Sequence, residues 1–266
     1  MYSDNTSTAA NTRIIDIQNL TKEYTTQRGE PLLAVSDVTL RIAENSFTCI
    51  VGPSGCGKST ILRVAAGLES ATDGSVCYRS NAVAKPCGKI GLVFQEYSLF
   101  PWLTVLDNVA MGPAFAKAPR KEREERARTY LRMVDMIDFT DAYPHELSGG
   151  MRQRVAIARA LCNDPDVLLM DEPFGALDAH TRILLQRELL KVWEMTRKTI
   201  VLVTHSVDEA VYLADQIVIM TNRPGRIRSV LDVDMERPRS RAMPEFGKLT
   251  DYILKELEQG TPHSTY

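Results

Sequence analysis

Residues 47–68 read FTCIVGPSGCGKSTILRVAAGL. Positions 47–51 form a short apolar run of strand length, and from Ser59 onward the apolar residues fall at helical spacing. Between them Gly52, Gly57, Lys58 and Ser59 satisfy G-x-x-x-x-G-K-[ST]. In the order strand, glycine-rich loop, helix, this pattern describes a cradle for phosphates. Gly52, Gly55 and Gly57 let the backbone turn tightly with its N–H groups inward, Pro53, Ser54 and Cys56 complete the loop around the nucleotide, and the helix behind adds the positive end of its dipole. Lys58 is then expected to reach the β- and γ-phosphates of a nucleotide, Ser59 to ligate Mg²⁺, and Thr60 to close the cradle. A glycine turn without a ligand would explain the glycines but not the Lys-Ser pair.

Working outward, DVLLMDEP (166–173) supplies a buried strand ending in two acids. Asp171 is expected to hold Mg²⁺, and Glu172 to orient and deprotonate an attacking water. Acids at strand ends often only cap the next helix, but paired with the first loop the catalytic reading is preferred. TIVLVTH (199–205) ends in His205, which alone reads more readily as a buried, hydrogen-bonded histidine than as a ligand contact. Gln95, after GLVF, is as uninformative alone. Strand texture at 14–24, 32–43, 47–52, 89–95, 166–171, 199–205 and 216–221 alternates in its second half with helices such as HTRILLQRELLKVWEMT (180–196). LLAVSDVTLRIA (32–43) reads as a strand pair. Strands alternating with helices and apolar on both faces predict an α/β fold with a mainly parallel sheet, preceded by an N-terminal antiparallel part. Residues 97–160 read as an inserted, mainly helical lobe. Its mixed-charge run KAPRKEREERARTYLRMVDMI (117–137) is expected to be a solvated helix face rather than a nucleic-acid patch.

Residues 1–12 are small and polar and are expected to be disordered. The C-terminal 236–266 read as a helical tail, with Phe246, Leu249, Ile253 and Leu257 on one stripe that docks on the body. A net charge of −2 over 266 residues gives no general reason for binding nucleic acid. No apolar run approaches the roughly 20 residues of a membrane span, and no secretory leader is evident, so a soluble, cytosolic chain is expected. Five scattered cysteines with no C-x-x-C suggest neither a disulfide framework nor a zinc site. Cys56, inside the loop at a helix N-terminus, is expected to have a lowered thiol pKa and to be shielded by nucleotide, or else to be merely a tolerated small residue.

A second glycine turn, LSGGMRQRVAIARAL (147–161), opens another helix. With it the chain resembles the ATP-binding subunit of an ABC transporter from about residue 14 to 230, its segments in the family's order. GPSGCGKST is the Walker A loop, Gln95 falls at the Q-loop, LSGGMRQR is the signature, LLMDEP is Walker B, GALD ends at Asp178 in the D-loop, and His205 is the switch histidine. The resemblance implies a P-loop NTPase core with the helical lobe inserted, ATP and Mg²⁺ as cofactors, and Tyr24 stacked on adenine, although an ordinary strand-end aromatic would look the same. It implies Lys58, Gln95, Glu172 and His205 in catalysis, and Ser59, Gln95 and Asp171 around the metal. It also implies a head-to-tail dimer in which Ser148, Gly149 and Gly150 of one subunit face the γ-phosphate held by the other. The partners implied are integral-membrane permease subunits and, indirectly, an extracytoplasmic solute-binding protein, with the chain peripheral on the cytoplasmic face of the membrane.

LFPWLTVLDNV (99–109), DEPFGALDAHTR (171–182) and TNRPGRI (221–227) resemble the nitrate, sulfonate, taurine and bicarbonate importer type, which implies a small anionic solute; another importer class is the alternative. Phe100 stands where that type usually has leucine. About 40 residues follow TNRPGRI, too few for the regulatory domain of sugar-importer ATPases. DNA-directed relatives share the signature but insert coiled coils or zinc modules before it; here about 90 residues intervene without heptads or cysteine clusters. A nonhydrolysing module is disfavoured by the presence of both Glu172 and His205, and a GTPase by the lack of N-K-x-D.

Overall fold

The computed structural model describes residues 13–258; the expected disordered dozen at the N-terminus lies outside them. The described residues open with β1 (Arg13–Thr25) and β2 (Pro31–Ala43), a long antiparallel pair. Sequence predicts two short strands over 32–43; the structure has one. Ser36-Asp37 reads like a turn, and Asp37 does sit at φ 53. The Asp37 amide donates to Thr21 Oγ1 at 3.1 Å, and the Asn19 amide to Thr39 Oγ1 at 3.0 Å. Side-chain hydroxyls thus bridge an irregular stretch of the ladder, and the strand continues past it.

β3 (Phe47–Val51) runs into the glycine loop and α1 (Lys58–Ala65). β4 (Asp73–Tyr78) and the two-residue β5 (Asn81–Ala82) complete a four-stranded antiparallel sheet in the order β2-β1-β4-β5. β6 (Ile90–Val93) follows, then α2 (Val105–Phe115), α3 (Arg120–Met133) and α4 (Gly149–Cys162). β7 (Val167–Asp171), α5 (Ala179–Thr196), β8 (Thr199–Thr204), α6 (Val207–Leu213), β9 (Gln216–Met220), β10 (Ile227–Asp232) and α7 (Pro244–Glu258) close the described chain.

The second sheet runs β10-β9-β3-β8-β7-β6, parallel except for β10. Alternate residues of its central strands bury two separate cores, as a sheet covered on both faces must. Ile50, Leu169, Val201 and Val203 join Ile61, Leu62 and Val64 of α1 and the inner face of β1 and β2. Cys49, Leu168, Met170, Ile200 and Leu202 join helices α2 to α7. Helix α1 therefore lies between the two sheets, which holds the loop before it from both sides. Because the strands are parallel and in register, with Val51 opposite Thr204 and Val203 opposite Asp171, their C-terminal ends meet at one edge, where doubly wound sheets bind ligands.

Residues 97–162 carry helices and irregular turns but no strand. Only Ala127 and Leu131 of α3 are buried, so its charged residues do form a solvated face. The C-terminal stripe docks on the body: Phe246 and Ile253 are buried, and Leu249 and Leu257 pack against the same core. Among the described residues no helix is long and apolar enough to cross a membrane.

Candidate functional site

The glycine loop occupies the crossing of β3 into α1. Gly57 has φ 95, and a Cβ there would lie 2.5 Å from the Val35 side chain, so both conformation and packing require glycine. The Lys58 ammonium, 5% exposed, is folded inside the loop and donates to the carbonyl oxygens of Gly52 at 2.8 Å and Pro53 at 2.9 Å. Ser54 and Gly55 are exposed at the rim.

At the neighbouring strand end the Ser59 hydroxyl donates to Asp171 Oδ1 at 2.8 Å. Burial raises the Asp171 pKa, and the adjacent Glu172 carboxylate raises it further against the lowering by Ser59. A buried acid beside a second acid is an environment that a cation relieves. The donor set, one hydroxyl and one carboxylate oxygen, suits Mg²⁺, which keeps several waters and takes the rest of its shell from phosphates.

Glu172 stands at φ 43, a left-handed conformation that is unfavourable for its side chain by on the order of 1–2 kcal/mol. Its amide bonds to Val203 O at 3.0 Å and its carbonyl accepts from the Gly175 amide at 3.1 Å, so tertiary contacts impose the turn. Strain of this kind gathers at functional sites. Glu172 Oε2 lies 3.0 Å from His205 Nδ1. An Nδ1–H would donate to that carboxylate. The buried-histidine alternative does not hold, because the His205 side chain is 56% exposed.

Tyr24 lies against the first turn of α1. Its hydroxyl donates to Glu69 Oε2 at 2.5 Å and is 3.3 Å from Thr60 Oγ1; burial, with Glu69, raises its pKa. Gln95 is exposed in the bend after β6, and no hydrogen bond among the described residues joins it to Ser59, Asp171 or Glu172. Of the expected metal ligands, Ser59 and Asp171 meet directly. The Gln95 loop is instead tied to α4: Arg159 donates to Ser98 O at 2.7 Å and Tyr97 O at 3.1 Å, and the Arg152 guanidinium lies 5.3 Å from the Tyr97 ring centroid.

The signature turn sits on another helix N-terminus. Ser148 caps α4, its hydroxyl accepting from the Met151 amide at 3.3 Å. Gly150 is buried where a Cβ would lie 2.7 Å from Thr181 Cγ2, which seats α4 on the first turn of α5. Ser148 is exposed and Gly149 half-buried. Asp178 caps α5 by accepting from the Thr181 amide at 3.0 Å, and that bonding holds its pKa down.

Cys56 corrects an expectation. The thiol is 1% exposed, and burial raises its pKa despite the nearby Lys58 ammonium. Desolvation of the thiolate outweighs the helix end. Sequence reasoning also passed over Arg223 and Gly225. Arg223 Nε donates to Gly55 O at 3.2 Å, and a Cβ on Gly225 would lie 1.8 Å from the Cys56 carbonyl oxygen. TNRPGRI was legible as a family motif; that it props the outer side of the phosphate loop was not.

Residues 35–175 match the family model described as ABC transporter. The chain belongs to that family. Over 244 residues it is 50% identical to an uncharacterized ABC transporter ATP-binding protein, MJ0412, of Methanocaldococcus jannaschii, covering 92% of this chain and 91% of that one. It is 41% identical over 246 residues to the aliphatic sulfonates import ATP-binding protein SsuB of Bacillus thuringiensis, covering 92% and 96%. Among solved structures, the dimeric bacterial ABC transporter cassette MJ0796 superposes with a TM-score of 0.73 at 35% identity, over 84% of this chain and all of that one. The same cassette in a post-hydrolysis state bound to ADP and Pi gives 0.73 at 34% identity over the same shares. The fold is thus that of an ABC ATPase cassette, and the chain is an ABC-type ATPase that binds ATP.

Proposed function

We propose that this ATPase powers import of a small anionic solute through separate membrane subunits, from the cytoplasmic face. The observation that carries the hydrolytic part is the single sheet edge that gathers Lys58, the Ser59–Asp171 contact and the Glu172–His205 pair. Lys58 leaves its two loop carbonyls to meet the β- and γ-phosphates, while the loop amides and the dipole of α1 hold the rest. Ser59 and Asp171 are the residues that would hold Mg²⁺, which when bound neutralises charge on the β- and γ-oxygens. Glu172 takes the proton of the attacking water, and His205, 3.0 Å from it through Nδ1, holds that carboxylate in place beside the γ-phosphate. Tyr24 flanks the adenine side, supported by its position beside Thr60 at the start of α1.

The signature turn, a glycine-rich helix end whose Ser148 is exposed, adds amide donors and a dipole to the ATP of a second, head-to-tail copy; the dimeric state of the MJ0796 relative supports this reading. ATP's preference for the closed pair is what moves the membrane subunits. The loop of Gln95, held to the signature helix by Arg159, relays closure to the permease. An extracytoplasmic binding protein delivers the solute.

The anionic class rests on the likeness to SsuB and on the motifs LFPWLTVLDNV and TNRPGRI. Uptake of labelled alkanesulfonates, taurine, nitrate and bicarbonate by vesicles carrying the chain with its permease and binding-protein partners tests this. ATP-dependent uptake of one of these anions is expected. Uptake restricted to sugars, amino acids or cations would overturn the solute class, and DNA-stimulated hydrolysis would overturn transport itself.

A further inference from the structure

The short helix α6 follows His205 directly, and its ends are held by a segment with no part in the reading above. Residues 237–241 read RPRSR, and each arginine takes a different handle. Arg237 bonds to Asp215 and to Leu213 O. Arg239, only 4% exposed, donates to the carbonyl oxygens of Val211 at 2.8 Å and Ala214 at 2.6 Å on one side, and of Met235 at 3.0 Å on the other. The last carbonyls of a helix lack partners within it, and cations suit that end of the dipole; here guanidinium groups from one strap provide both. Arg241 grips the other end. Its Nε lies 2.8 Å and 2.9 Å from the two carboxylate oxygens of Asp208, its Nη2 is 2.6 Å from Gln186 Oε1, and its guanidinium stacks 4.2 Å from the Tyr212 ring centroid.

What α6 holds in turn is the residue on either side of His205. Glu209, buried in α6, accepts from the Thr204 hydroxyl at 2.6 Å. The Ser206 amide donates to that hydroxyl oxygen at 3.0 Å, and the Ser206 hydroxyl accepts from the Glu209 amide at 3.4 Å. A shift of α6 therefore carries Thr204 and Ser206 with it, and displaces the His205 imidazole from Glu172 Oε2.

We propose that the strap 237–241 is a positioning device for His205, and that Arg241 sets the rate of hydrolysis without touching ATP. This rests on the Glu172–His205 pair acting in hydrolysis. Small misplacements of a reacting group cost up to about 100-fold in rate, so loss of one of several anchors should cost about tenfold.

The test uses the full chain, with kcat and KM from phosphate release, binding of a fluorescent ATP analogue, and the thermal midpoint. Arg241→Ala, and Asp208→Asn breaking the same pair from its other side, should lower kcat about tenfold while KM and analogue binding stay within about twofold. Arg241→Lys should recover part of the rate, because an ammonium can hold Asp208 but not Gln186 in the same fork. In a chain already carrying His205→Ala, Arg241→Ala should cost nothing further. Unchanged kcat in both single variants, a rise in KM with kcat retained, or losses that multiply in the double variant would overturn the proposal. Wild-type turnover in His205→Ala alone would remove the reading of the pair and this proposal together. Unaffected Arg241→Ala beside an inactive His205→Ala would remove only the strap's role.

Discussion

The phosphate loop and the signature turn are both glycine-rich helix N-termini, yet one is finished within the chain and the other is not. The loop is closed on itself by Lys58, wedged against Val35 from one side and propped by Arg223 and Gly225 from the other. The signature turn rests on Tyr97, Leu177, Thr181 and Leu185, and leaves Ser148 exposed. Amides in the first turn of a helix have no partner within it. The difference teaches that the same local device is a complete binding site when a fold surrounds it, and half of one when it faces outward. The second half, on the reading above, is another copy's triphosphate.

The largest effect that would break this contrast lies on the finished side. Glu172→Gln should retain ATP and lose hydrolysis by about 10³-fold, within the range for removal of a general base. Phosphate release set against equilibrium ATP binding reads it, and near-normal turnover would refute the role of Glu172.

The next bears on the unfinished side. In a Glu172→Gln chain, ATP should double the mass seen by light scattering. Adding Ser148→Arg, which places a bulky cation where the amides point, should weaken that pairing at least about tenfold while the lone chain still binds ATP. A dimer that survives unchanged would show that the outward turn is not the other half of the site.

A smaller effect sharpens the account of the finished site. The Asp171 pKa is raised, so the folded chain disfavours the ionised carboxylate relative to the unfolded one. That penalty is absent below the ordinary value near 3.8 and fully present above the raised folded value. Asp171→Asn should therefore raise the thermal midpoint at pH 7. The gain should vanish toward pH 3, and Mg²⁺-dependent hydrolysis should be lost. A lower midpoint at pH 7 would contradict the site as a strained acid pair that a cation relieves.

The smallest effect concerns the loop's own thiol. Exposed Cys87 should react with iodoacetamide at neutral pH at least about tenfold faster than Cys56, whose thiolate is scarce because burial raises its pKa. Cys56 labelling should climb as pH rises, and ATP should slow it further. Equal labelling with and without ATP would place Cys56 off the nucleotide.

The sequence alone determined the α/β class, the order of the motifs and the identity of most candidate residues. Glycine at positions 52, 55 and 57, Lys-Ser after them, and acids at the end of an apolar strand are local requirements of phosphate chemistry, written in adjacent residues. The docking of the tail was legible for the same reason: Phe246, Leu249, Ile253 and Leu257 keep a helical period. Where a cue was local but ambiguous, the reading failed. Ser36-Asp37 has turn chemistry, but Thr21 and Thr39 side chains bridge the ladder there. Cys56 has a helix N-terminus beside it, but the fold buries it, and desolvation is the larger effect.

Tertiary structure alone decided everything that depends on residues far apart in the chain. It put Ser59 against Asp171, 112 positions away, turned Glu172 into a left-handed conformation toward His205, and tied Tyr97 and Ser98, next to Gln95, to the signature helix through Arg159. It also placed the arginines of residues 237–241 around the helix that follows His205. Sequence periodicity reports which face of an element is apolar; which elements meet, and at which edge, is set by the packing of two cores against one sheet, and no local pattern encodes it.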